Sequence, residues 1–178
     1  MTVLETKVAV VTGASRGIGK GIALALADHG ATVYVTGRSV GHDDHELPGT
    51  VGETASEVNR RGGIGIAVQV DHADDGQVVA LFDQIRREQG RLDILVNNAF
   101  ALPDNLTDTD PFWNKPLSDW QMVDVGVRSN FVAARLAAEL MVSPCHSESD
   151  ATPCGCSSTA MSRAIRSTAL LHIPKTTP

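Results

Sequence analysis

The sequence is poor in aromatic residues, 4% over 178 positions, and holds a single tyrosine, Tyr34. Phenol chemistry therefore has one candidate carrier in the whole chain. Cysteine is absent before Cys145, and the three present, Cys145, Cys154 and Cys156, crowd the last quarter. An odd number so placed is no disulfide framework, and a reducing, cytoplasmic setting is expected. No apolar run approaches the roughly 18 residues of a bilayer-crossing helix. Positive charge is not in excess: 15 Lys and Arg stand against 21 Asp and Glu, a formal charge of −6. That balance excludes a binder of nucleic-acid backbone, which needs a basic face. The opening stretch, Met1 to Val11, alternates polar and apolar residues and carries Glu5 and Lys7, unlike a secretory signal. With 42% hydrophobic and 20% charged residues, the composition is that of one soluble globular domain.

Up to Val142, apolar strand-like runs alternate with helix-like runs, the pattern of a parallel α/β sheet. Strands are expected at Lys7–Thr12, Thr32–Thr36, Gly65–Val70 and Leu92–Val96. The last is almost wholly apolar, as befits a strand buried on both faces. Between them, Ile18, Ile22, Ala25 and Leu26 recur at helical spacing before Gly30. Glu53–Arg61 is a short helix candidate. Asp74 and Gln77 predict a capping box, followed by a stripe of Val78, Leu81, Phe82 and Ile85. Ser39–Gly52 and Ala101–Pro116 read as loops. A long helix is expected over Ser118–Met141, its apolar stripe running through Trp120, Val123, Val127, Phe131, Ala134, Ala138 and Met141. Residues 1–142 thus form one domain. Residues 143–178, rich in Ser, Thr and Pro, read as a mostly disordered tail.

Thr12-Gly-Ala-Ser-Arg-Gly-Ile-Gly19 joins the first strand to the first helix. Turns use glycine for many reasons, so the cluster alone says little. In this strand–turn–helix setting it points to a dinucleotide: Gly13 allows the sharp turn, while Gly17 and Gly19 let a phosphate and the packing helix come close. The helix start offers free N–H groups and partial positive charge to a pyrophosphate. Where an NAD-binding chain usually carries an acidic residue, this one has Thr36-Gly37-Arg38, with no carboxylate before Asp43. Arg16 and Arg38 suit a 2′-phosphate instead, so NADP is the expected cofactor and NAD the alternative.

Together with Asp71 after the third strand and Leu92-Asp-Ile-Leu-Val-Asn-Asn-Ala99, the glycine loop resembles the short-chain dehydrogenase/reductase family. Thr12–Arg38 and Val125–Arg128 are most similar to the member-1 branch of its dehydrogenase/reductase group. The resemblance covers about Lys7 to Val142. It implies a Rossmann-like, doubly wound parallel sheet, cut short after its fourth strand. It further implies hydride transfer between NADPH and a small carbonyl or alcohol, and pairing with a second copy or a family relative. By the same resemblance Ser15, Arg16 and Ile18 contact the cofactor, Asp71 takes the adenine amino group and His72 lines the adenine site. Asn97 and Asn98 brace the sheet, and Ala99 lies beside the nicotinamide ribose.

The sequence departs from the family in three places. Phe100 replaces the glycine usual after Asn-Asn-Ala. Gly126 falls where many members carry a relay asparagine, and Asn130, one turn on, is not given that role. No Tyr-x-x-x-Lys exists, because Tyr34 is followed at the fourth position by Arg38. The general acid of the family is thus missing, no catalytic residue is assigned, and a nucleotide-binding protein without turnover is the competing reading. A frame change or alternative splice would explain the abrupt loss of pattern after Val142. His42-Asp-Asp-His45 and the Cys145, Cys154 and Cys156 group fit no standard metal module, so no metal is expected. Trp120 is expected to anchor its helix to the core.

Overall fold

The computed structural model describes residues 3–41, 48–103, 105 and 107–142. The expected tail after Val142, the His42–His45 stretch and the three cysteines lie outside these residues. Four strands are present: β1 (Val8–Val11), β2 (Thr32–Gly37), β3 (Ile64–Gln69) and β4 (Ile94–Val96). All pairings are parallel, in the order β3-β2-β1-β4, with Val10 opposite Tyr34 on one side and Leu95 on the other. β1 lies between β2 and β4.

Strand alternation divides the core into two layers. Ala9, Val11, Val33, Val35 and Val96 face α1 (Gly17–Ala27) and α2 (Val51–Arg60). Val8, Val10, Tyr34 and Leu95 face α3 (Asp75–Gln89) and a helix over Ser129–Val142. Helices on both faces make the sheet doubly wound. At the opposite end from the glycine loop, Lys7 Nζ meets Asp93 Oδ1 at 2.9 Å and ties the starts of β1 and β4.

Local chemistry explains the helix limits. Thr50 caps α2 in a full capping box with Glu53, so that helix starts two residues earlier than its apolar pattern implied. Asp74 caps α3 by accepting from Gly76 and Gln77 N–H, and Gly90, at φ +68°, ends it. The expected Asp74–Gln77 box is not reciprocal, however. Gln77 Oε1 reaches past the cap and accepts from Asp71 N–H at 2.8 Å. In α1 the buried face is Ala23, Leu24 and Ala27, whereas Ile18, expected on the stripe, is exposed.

The long helix expected over Ser118–Met141 is broken. A 3-10 turn at Leu117–Trp120 leads into one turn of α4 (Gln121–Val123) and a wide π turn at Asp124–Arg128, kinked at Val125. Only then does α5 (Ser129–Val142) begin. Its buried face is Ser129, Ala133, Ala137 and Leu140. Trp120 is 66% exposed and Phe131 71%, so neither anchors the core. The extra residue of the π turn shifts the helical phase, and a stripe read straight through it lands on the wrong face.

Candidate functional site

A cavity of about 540 Å³ opens at the carboxyl ends of the strands, the end where open α/β sheets bind their ligands. The turn after β1 forms its floor. Gly13, at φ +63°, packs so closely under the β4 end that a Cβ there would lie 2.9 Å from Ala99 Cα. Thr12 Oγ1 accepts from the N–H groups of both Asn98 and Ala99 at 2.8 Å. Asn98 Nδ2 returns the bond, donating to the carbonyls of Thr12 and Gly13 at 2.9 and 3.0 Å. The glycine loop and the end of β4 are thereby one rigid unit.

Of the residues singled out from sequence, Gly13, Ser15, Arg16, Arg38, Asp71, His72 and Ala99 line this cavity together. Gly17, Ile18, Gly19 and Asn97 are not on its wall. Gly17, at φ +56°, has open space where a Cβ would point, and Ile18 beside it is exposed. Gly19 is buried against Asn98 and the Gly13 carbonyl. Asn97 turns the other way, donating to the Asn130 carbonyl at 3.3 Å, with its Oδ1 buried and without a partner among the described residues. It is Asn98 that braces the turn. Asn130 donates to Gly126 O at 2.6 Å and so serves the π turn.

Residues missed from sequence complete the wall: Ser39, Gln121, Asp124 and Arg128 among them. Arg128, on the cavity wall, makes a two-pronged ion pair with Asp75 at the start of α3. Ser39 is 6% exposed and accepts from Arg16 Nη2 at 2.7 Å. Its only sequence signal was its place after Arg38. Phe100 lies against Gly126, where a Cβ would meet its ring at 3.0 Å. The two departures from the family pattern are thus neighbours in space.

Two titratable side chains are strongly perturbed. His72 is buried, its Nε2 3.0 Å from Thr36 Oγ1, and burial pushes its pKa down to about 4 against a smaller opposing pull from Asp71. Tyr34 lies under α3, its hydroxyl donating to Glu88 Oε2 at 2.6 Å. Burial, then the Glu88 carboxylate, raise the phenol above its ordinary value. That phenol is off the cavity wall and bonded to Glu88, so it is not placed to give a proton to a ligand there. Among the described residues no group of three or more His, Cys, Asp or Glu could hold a metal, and no helix is long and apolar enough to cross a membrane.

A sequence model described as short chain dehydrogenase matches residues 7–151. The chain belongs to the short-chain dehydrogenase family. It is 45% identical over 143 residues to "Dehydrogenase/reductase SDR family member 1" of Mus musculus and, equally, of Homo sapiens, covering 78% of this chain and 43% of each relative. Over 144 residues it is 35% identical to a 3-oxoacyl-[acyl-carrier-protein] reductase of Synechocystis, covering 80% of this chain and 53% of that one. A short-chain type dehydrogenase/reductase from Mycobacterium marinum superposes with a TM-score of 0.66 at 34% identity, covering 79% of this chain and 52% of the other. A mutant Serratia marcescens short-chain dehydrogenase/reductase gives 0.66 at 37%, covering 78% and 52%. The chain therefore spans about half the length of the relatives it matches, or less.

Short-chain dehydrogenases bind a nicotinamide dinucleotide, and the residues present fit such a group. The first turn of α1 contains no acidic residue and its N-cap, Arg16, makes no side-chain capping bond. Its leading N–H groups are therefore available to an anion, beside the open backbone at Gly17.

Proposed function

We propose that residues 7–142 form the nucleotide-binding part of an NADP-preferring oxidoreductase acting on a small carbonyl or alcohol. The observation that carries this reading is the single cavity wall shared by Gly13, Arg16, Arg38 and Asp71 at the strand ends. In it the glycine turn and the start of α1 hold the phosphates, Arg38 meets the 2′-phosphate with a charge-assisted bond, and Asp71 accepts from the adenine amino group. Ser15 and Ile18 flank the phosphates, and His72, neutral above about pH 4, lines the adenine side. Ala99 belongs to the nicotinamide end, and Asn97 braces the sheet behind it. The bound dinucleotide supplies the hydride. The proton is another matter: the one tyrosine is buried on Glu88, and no Tyr-x-x-x-Lys occurs in the sequence.

That same observation favours a second reading, a chain that binds nucleotide without turning over. Two measurements on the purified chain separate the readings. Calorimetric titration with NADP+ and NAD+ should show binding, tighter for NADP+. Carbonyl-dependent NADPH consumption should then decide between them: turnover at ordinary enzymatic rates excludes the second reading, and binding without turnover excludes the first. Failure of both nucleotides to bind overturns the nucleotide assignment itself. A cytoplasmic setting is part of the proposal, supported by an odd cysteine count that is no disulfide framework and testable by imaging a tagged chain.

A further inference from the structure

The ring of Phe100 stands on the cavity wall and is 55% exposed, although Ala99 before it is buried. It has a fixed seat. A Cβ on Gly126 would lie 3.0 Å from Phe100 Cδ2 and 3.4 Å from Cε2, so the ring takes up the space that a larger residue would need. The backbone holds the two segments together at this point. Ala101 N–H donates to Val125 O at 3.0 Å, and Asn130 Nδ2 donates to Gly126 O at 2.6 Å. The φ of Gly126 is not positive, so its backbone does not call for glycine; the ring against it does. Phe100, Ala101 and Val125 are on the cavity wall, and Gly126 is off it, against the ring. The phenyl group is thus held along one edge and bare over much of the rest.

The sheet order decides which end of the cavity this is. Arg38 follows β2, Asp71 follows β3 and Phe100 follows β4, and β3 and β4 are the outer strands of the order β3-β2-β1-β4. Three strand spacings separate those two, about 14 Å at roughly 4.8 Å each. A dinucleotide with its adenine at Asp71 and its 2′-phosphate at Arg38 therefore runs over the glycine turn after β1 and brings its other ring to the β4 end. We propose that Phe100 is a specificity-determining residue: its ring, seated on Gly126, is the surface against which the nicotinamide ring packs. Flat rings attract one another, offset or edge to face, beyond the apolar area they bury, and the bare phenyl surface leaves water in the same step. The proposal rests on the nucleotide-binding reading above. A phenyl ring here is this chain's own feature, since the family pattern it resembles has glycine at that position.

The test uses the full chain with Phe100→Ala, Phe100→Leu, Gly126→Ala and the double variant Phe100→Ala with Gly126→Ala. Calorimetry gives dissociation constants for NADP+ and for 2′,5′-ADP, which carries the adenine and the 2′-phosphate but no nicotinamide. Phe100→Ala should weaken NADP+ by about two- to tenfold and leave 2′,5′-ADP unchanged. Phe100→Leu, apolar but not flat, should recover only part of the loss. Gly126→Ala, which pushes the ring off its seat, should also weaken NADP+ alone. It should add nothing in the double variant, where there is no ring to move. Thermal melts read the seat separately: Gly126→Ala should lower the melting temperature only while Phe100 is present, because the ring is what crowds it. Equal weakening of both ligands in Phe100→Ala, or no weakening of NADP+, overturns the proposal. Losses that multiply in the double variant overturn it too, by separating the ring from its seat. If the unmodified chain binds neither ligand, the nucleotide reading fails and the contact with it. If it binds 2′,5′-ADP as tightly as NADP+, the nucleotide reading stands and the Phe100 contact alone falls.

Discussion

A Cβ placed on Gly19 would lie 2.4 Å from Nδ2 of Asn98 and 2.5 Å from the Gly13 carbonyl, the atoms that lock the glycine turn to the end of β4. Gly19 is thus required by the packing of the turn. Gly17 is the opposite case, with left-handed backbone and nothing within 4 Å of where a methyl group would stand. Gly19→Val should cost about 1–3 kcal/mol or more through overpacking and lower the melting temperature before any effect on binding. Gly17→Ala should cost about 1–2 kcal/mol in backbone strain, keep the fold, and weaken nucleotide binding by placing a methyl group where a phosphate comes close. Thermal melts alongside calorimetry separate the two. Equal melting temperatures for both variants would contradict the packing role of Gly19.

Arg38 follows Gly37 at the carboxyl end of β2 and reaches the cavity rim from there. Arg38→Asp should shift preference from NADP+ toward NAD+, because a carboxylate repels the 2′-phosphate and accepts from a ribose hydroxyl. The quantity to measure is the ratio of the two dissociation constants. A ratio that does not move makes Arg38 surface charge and nothing more.

His72 ties stability to pH. Its folded pKa of about 4 lies below the ordinary value of 6.5, so between these limits the unfolded chain binds a proton that the native ring refuses. Stability from this group is complete above the unfolded pKa and falls as pH drops toward 4. At about 1.4 kcal/mol per pH unit, the window is worth on the order of 3 kcal/mol. His72→Gln keeps a polar group near Thr36 and removes the titration. Urea midpoints at about pH 7.5 and about pH 5 should fall more for the unmodified chain than for the variant. Parallel slopes would show that His72 does not titrate in this range.

α3 was readable in the sequence because it presents one uninterrupted period to one buried environment, and the strands because each is a short apolar run, even β3, which lies at the sheet edge with none of its residues buried. Val78, Leu81, Phe82 and Ile85 are all buried, as their spacing implied. The glycine loop was readable because its chemistry is local. Three other features depend on partners far away in sequence. Ala133 and Ala137, not the larger Phe131, seat α5, since small side chains let the helix approach the β4 layer. The kink at Val125 has no proline to announce it, and Gly126 beside it reads equally well as part of a continuous helix. The bonds of Arg16 to Ser39 and of Asn98 to Gly13 join residues far apart in sequence, and only the folded turn shows them.

β4 ends the sheet, and its outer edge has no strand partner among the described residues. An apolar, interior-type strand left at a sheet edge is expected to leave large side chains bare. Instead Leu92, Leu95 and Val96 are all at most 6% exposed, covered by the two helical layers, so the interior is not opened. What remains is the edge itself, unpaired with any strand among the described residues, and a set of bare apolar side chains in the segment that follows β4 in sequence. Phe112, Trp113 and Leu117 are 87%, 81% and 95% exposed, and Trp120 and Phe131 are also largely exposed. At roughly 150–250 Å² for a whole aromatic side chain, these rings expose on the order of 500 Å² or more, at the upper end of what monomers tolerate. The chain should therefore fold cooperatively yet self-associate as its concentration rises. Sedimentation velocity across a hundredfold dilution series, on the order of micromolar to sub-millimolar, should show a rising average mass. Replacing Trp113 and Leu117 with serine should shift the distribution toward monomer without lowering the melting temperature, because neither side chain is buried. A chain that stays monomeric over that series would falsify the prediction, and a variant that associates as strongly as its parent would move the contact elsewhere.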